Sequence, residues 1–208
     1  MGCSSSDHAV NSSSTPTTSA SATPSGDAQA TALLAKAETT LAADSSYRFD
    51  AVLTVAAKKP VTEHVSGAVV RNTGVSYALT EGKTTTKVVR IKGATFVRKL
   101  PGKWVRLQKP RPVADPTTSL AAILKGLTGV QTVNASTVAG TLPPAAAKSA
   151  GIPTGSEPAQ VTVTVDAAGH VTRVTVHTST QAGSTPVAVT LVTSYSAFGR
   201  VPALHRPV

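Results

Sequence analysis

The run Val161-Thr162-Val163-Thr164-Val165-Asp166-Ala167-Ala168-Gly169-His170-Val171-Thr172-Arg173-Val174-Thr175-Val176 decides the fold class. Valine alternates with threonine before the break, and branched residues return after it. In an extended chain successive side chains point to opposite faces, so Val161, Val163 and Val165 share one face. Asp166-Ala167-Ala168-Gly169 carries turn chemistry. The segment is a β-hairpin with one apolar and one polar face, the signature of an antiparallel sheet packed on one side.

Working outward, Val187, Val189, Leu191, Thr193 and Tyr195 give a long final strand. Far upstream, Tyr47, Phe49, Ala51, Leu53 and Val55 fall on one face of an alternating run and predict a half-buried strand. Between them, Lys58-Lys59-Pro60, Asn72-Thr73-Gly74, Glu81-Gly82-Lys83, Lys92-Gly93 and Pro101-Gly102-Lys103 separate β-prone runs at 65–71, 75–80, 84–91, 94–100 and 104–107. Turns recurring about every ten residues predict an antiparallel meander.

Two segments read as helices. Asp27 is a candidate N-cap, and Leu33, Leu34, Ala37 and Leu41 follow at helical spacing up to Asp44. After a break from Pro110 to Pro116, Asp115 opens a second helix whose Leu120, Ile123, Leu124 and Leu127 form one stripe, with Gly126 and Gly129 at its end. Residues 130–140 return to β, and Pro143-Pro144-Ala145-Ala146-Ala147-Lys148 reads as a short helix opened by proline. The expected class is α+β, a single domain over residues 27–208 preceded by a tail, residues 1–26.

Composition narrows the function. The chain has 208 residues; 40% are hydrophobic, supplied by Ala, Val and Leu, and only 3% are aromatic. That argues against a nucleic-acid binder that stacks bases on rings. One cysteine excludes an internal disulfide and any multi-cysteine metal site. Of 20 Lys and Arg residues, 13 lie between Lys58 and Arg111, opposed there only by Glu63 and Glu81. Such a surface suits nucleic acid, anionic headgroups or an acidic wall polymer, or is the solvated outer face of hairpins. Placed beside valines, the cations predict a sheet with a wet convex face.

Signs of catalysis are lacking. His8, His64, His170, His177 and His205 occur singly, and no two sit at ligand spacing. Asp27, Asp115 and Asp166 stand where capping or turn formation explains them. There is no Gly-x-Ser-x-Gly elbow and no phosphate loop. The expectation is a protein that is not an enzyme and has no metal or cofactor. Trp104, the single tryptophan, fits either an exposed hairpin near a membrane surface or a packed core edge.

Residues 1–26 read MGCSSSDHAVNSSSTPTTSASATPSG, and 13 of them are Ser or Thr. Such a segment buries too little to offset its ordering entropy and reads as a tether. Cys3 admits three readings. Gly2-Cys3 is similar to the end of a bacterial lipobox, where the thiol receives diacylglycerol. Met1-Gly2-Cys3-Ser4-Ser5-Ser6 also fits myristoylation at Gly2 with palmitoylation at Cys3. The third is a free thiol.

The body of the chain resembles a known family. Asp115-Pro116-Thr117-Thr118-Ser119-Leu120-Ala121-Ala122-Ile123-Leu124, Val138-Ala139-Gly140-Thr141-Leu142-Pro143, the hairpin around Asp166 and Tyr195-Ser196-Ala197-Phe198-Gly199-Arg200 resemble segments of the LppX/LprA/LprF/LprG actinobacterial lipoproteins. The resemblance implies a strongly curved antiparallel half-barrel with helices across its concave face, similar to LolA and LolB. It further implies an extracytoplasmic, monomeric lipoprotein anchored to the cell membrane through Cys3. Such a protein holds acylated lipids or glycolipids in an apolar cavity and carries them within the envelope, with a membrane transporter as a candidate partner. A non-carrier lipoprotein that scaffolds or senses a protein partner is the alternative.

On that basis the cavity residues are Phe49, Leu53, Val55, Val75, Tyr77, Leu79, Val89, Ile91 and Phe96 from the first strands. Val163, Val165, Val174, Val176, Val189 and Leu191 follow from the last ones. Leu120, Ile123, Leu124 and Leu127 would form the lid. Small walls of Val, Leu and Ala leave room for acyl chains or close on the helices as an ordinary core. A one-residue error in register moves a strand's whole set to the other face.

Overall fold

The computed structural model describes residues 27–108, 115–182 and 185–207. The tail with Cys3, and most of the break before the second helix, lie outside the described residues. Helix α1 spans Ala28–Ala43, α2 Pro116–Gly126 and α3 Pro144–Ser149. Eleven strands make one antiparallel sheet: β1 Ser46–Ala56, β2 Val61–Val70, β3 Gly74–Glu81, β4 Thr84–Ile91, β5 Ala94–Lys99, β6 Val105–Leu107, β7 Thr128–Asn134, β8 Thr137–Leu142, β9 Ala159–Val165, β10 Val171–Ala182 and β11 Thr185–Ser196.

Their order is β6-β5-β4-β3-β2-β1-β11-β10-β9-β8-β7. Two meanders are joined where β1 pairs with β11, and the edges β6 and β7 do not meet. The sheet is therefore a curved half-barrel, with the helices on one face. The expected elements stand, and the 130–140 stretch resolves into the hairpin β7–β8.

Side-chain chemistry fixes the helices on the sheet. Asp27 caps α1 by accepting from the Gln29 N–H at 2.8 Å, and its other oxygen accepts from the Thr132 N–H of β7 at 3.1 Å. At the far end the Arg71 guanidinium donates to the Leu41 and Asp44 carbonyls, a cation on the negative end of the helix dipole. Asp115 Oδ1 accepts from the Thr117 and Thr118 N–H groups to cap α2. Its Oδ2 receives Arg90 of β4 at 3.1 Å. Gly126 lets α2 touch α3, since a Cβ there would lie 2.7 Å from that of Ala146.

The core forms where these helices meet the sheet. Leu34, Ala37 and Leu41 of α1 and Leu120, Ile123 and Leu124 of α2 pack with Tyr47, Phe49, Val69, Val75, Val138 and the valines of β9 and β10. Each buried aliphatic side chain contributes about 1.5–3 kcal/mol relative to exposure.

Candidate functional site

Register assigns each strand residue to a face. Tyr47, Phe49, Ala51, Leu53 and Val55 of β1 point to the helix-bearing face, as their alternation predicts. Across one row, Leu191 pairs with Leu53; in the next, Ala51 pairs with Val65 and Val65 with Leu79. These side chains lie side by side on the concave face.

That face has two halves. Near the start of β1 it is closed: Phe49, Val75, Leu120, Ile123, Leu124, Val163, Val165, Val174 and Val176 are all buried in the core. Leu127, Tyr77, Val65 and Leu191 are partly buried against it. The expected lid is packed down on the sheet. Toward the end of β1 the face runs on past the core, where Leu53, Val55 and Leu79 are half-buried and stand outside the cluster, with Glu63 and Glu81 continuing the Leu53 row beside them. Val189 is buried at this end, near the segment that bonds Gly155 N–H to the Ser179 carbonyl.

Three expected cavity residues lie elsewhere. Tyr77 pairs with Val88, and Ser76 with Val89, so Val89 faces away from the helices. Ile91 follows it on β4, and Phe96 pairs with Val89 from β5. All three belong to the convex face. The cations divide likewise: Arg90 and Lys99 share the concave side with Val75 and Leu79, while Lys87, Arg98 and Arg106 lie on the convex side. The convex face is therefore not uniquely the charged one.

The inner face also holds residues outside the expected cavity set. Tyr47, Val65, Val69, Val138, Val161 and Tyr195 line the same concave side. The alternation of Val61, Glu63, Val65, Gly67 and Val69 carried the signal for β2. Gly67 is part of the packing: a Cβ there would lie 2.7 Å from Phe49 Cζ, so the Phe49 ring lies across the glycine.

Burial shapes the titration of this face. Tyr47 donates to or accepts from Thr117 Oγ1 at 2.9 Å, and burial pushes its phenol up to about 12. Tyr195 meets Tyr47 edge-on at 5.9 Å and is raised further by the same cause. Both rings stay neutral and serve as walls.

A second concavity lies on the convex face. After β11 the chain folds back, with the Gly199 N–H on the Ser46 carbonyl and the Val201 N–H on Ser46 Oγ. Residues 201–205 then roof a groove of ≈ 640 Å³ above Ser66, Ala68, Ser76 and Ala78. At the convex side of the β5–β6 hairpin, the Arg98 guanidinium lies 5.2 Å from the Trp104 ring centroid. Among the described residues no helix is long and apolar enough to cross a membrane.

The architecture defines a class: an open antiparallel half-barrel with helices seated on its concave face. No family model and no curated protein matches this chain. Among solved structures it is similar to LprF from Mycobacterium bovis, 14% identical over 87% of this chain and 98% of that one, with a TM-score of 0.53. A LolA superfamily protein from Nitrosomonas europaea is 13% identical over 86% of this chain and 94% of that one, with a TM-score of 0.34. The likeness to LprF places this chain in that fold, and the resemblance read from the sequence holds at that level.

Proposed function

We propose that this protein is an extracytoplasmic lipoprotein, anchored through Cys3, that binds acylated lipids or glycolipids on the concave face and carries them within the cell envelope. The observation that carries the reading is the strip of Leu53, Val55 and Leu79, half-buried beyond the closed core, continuous with Val65 and Leu191 and bordered by Glu63 and Glu81. An acyl chain laid there leaves water at about 0.8 kcal/mol per buried CH₂, so ten methylenes supply roughly 8 kcal/mol before ordering costs. The strip takes a chain along one wall, with the helix core as its stop. The fold and the family resemblance support the same reading.

The test is direct. Protein purified from its own membrane is denatured and extracted, and the extract is analysed by mass spectrometry. Extractable acyl lipid, distinct from the covalent anchor, is the expected result. Lipid-free protein that takes up no acyl lipid on incubation would overturn the carrier reading and leave the scaffold or sensor role.

A further inference from the structure

The strip's row leads to an edge of the sheet. Ala51, Val65, Leu79, Thr86 and Lys99 are successive partners from β1 to β5, and β6 closes the series as the outermost strand. That edge has an unusual surface. Leu100 is 37% exposed, Val105 58% and Leu107 36%, which makes this hairpin the site of three of the five large hydrophobics exposed among the described residues. Lys99 and Lys103 are exposed beside them, Arg106 is exposed on the other face of β6, and none of the three forms an ion pair among the described residues. Between Glu81 and Asp115 the sequence has ten Lys and Arg and no carboxylate.

An edge protected only against strand pairing needs the lysines but not the exposed Leu and Val. Apolar side chains interspersed with cations and an amphipathic ring are what a surface needs to sit at the headgroup level of a bilayer. Each basic residue near an anionic leaflet contributes about 1 kcal/mol.

We propose that the β5–β6 hairpin docks this protein on an anionic membrane surface, with Leu100, Val105 and Leu107 entering the interface and Lys99 and Lys103 meeting lipid phosphates. Docking would bring the strip's outer end to the bilayer, the side from which an acyl chain enters. That consequence rests on the carrier reading; the docking itself does not.

Trp104 reports on this hairpin alone, because the chain has no other tryptophan. The full chain carrying Gly2→Ala and Cys3→Ser, which removes both acylation sites, is sedimented with vesicles of phosphatidylcholine with and without phosphatidylglycerol. We expect binding only with phosphatidylglycerol, a blue shift of tryptophan emission, and quenching by brominated acyl chains. Lys99→Gln with Lys103→Gln should weaken binding more than tenfold, at about fivefold per lysine. Val105→Ser with Leu107→Ser should lessen the emission shift while far-ultraviolet circular dichroism stays unchanged.

Three results would each overturn the proposal: equal binding to neutral vesicles, binding without any change in emission, or capture by soluble polyphosphate as tight as by the vesicles. Failure of docking in protein that still yields extractable lipid would remove this inference and leave the carrier reading standing.

Discussion

Tyr47 shows how one side chain ties helix to sheet. It is 2% exposed, its hydroxyl meets Thr117 of α2, and its ring abuts Tyr195. Its phenol titrates near 12, against an ordinary value of 10, because burial penalises the phenolate. A raised folded value means that the stabilisation is whole below pH 10 and is lost as pH rises toward 12. Two pH units correspond to about 3 kcal/mol at most. Denaturant unfolding followed from pH 8 to pH 12 should show falling stability in that window. Tyr47→Phe should flatten the fall, leaving the portion due to Tyr77 and Tyr195, which burial also raises. A profile for Tyr47→Phe that superimposes on the parent would show that Tyr47 is not the group responsible.

Elements were legible in the sequence where one face was plainly apolar. In β9 a threonine separates each inward valine from the next; in β1 and β11 the spacers are polar except Val52, Ala188 and Val192, and one register still buries the larger set. Strand β4 offers no such choice: Val88, Val89 and Ile91 give both faces apolar positions. Its facing was decided by the turn. Glu81 pairs with Thr84 across a two-residue connection, so inward positions pass from odd numbers on β3 to even numbers on β4. Gly82 takes φ +55° there, which suits a glycine at the first central position of a tight hairpin. The clue was present in Glu81-Gly82-Lys83, but alternation alone does not count turn residues. Helix α2 was readable for the opposite reason, since cap, proline and stripe all agree. Asp115 has two tasks, the cap and the Arg90 pair. Asp115→Ala should cost about 1–2 kcal/mol in thermal unfolding, whereas Asp115→Asn should keep most of the cap and lose the ion pair. Equal midpoints for Asp115→Ala and the parent would mean that α2 is held by its buried leucines alone.

At the scale of the whole molecule, one face has to pack a core and present a binding surface. Here the two tasks occupy different halves of the same strands. The closed half depends on Leu124, 2% exposed, and Leu124→Ala should cost about 2–5 kcal/mol through the cavity it leaves. The open half makes the contrary prediction. Leu53 and Leu79 are half-buried outside the core cluster, so Leu53→Asn with Leu79→Asn should lower the melting midpoint by only a few degrees. The same pair places amides on the strip and should reduce extractable acyl lipid severalfold, measured against protein amount in one denatured extract. Undiminished lipid in the double variant would move the binding surface off this strip. A large fall in midpoint would show instead that Leu53 and Leu79 belong to the core, and the division of the face into two halves would have to be abandoned.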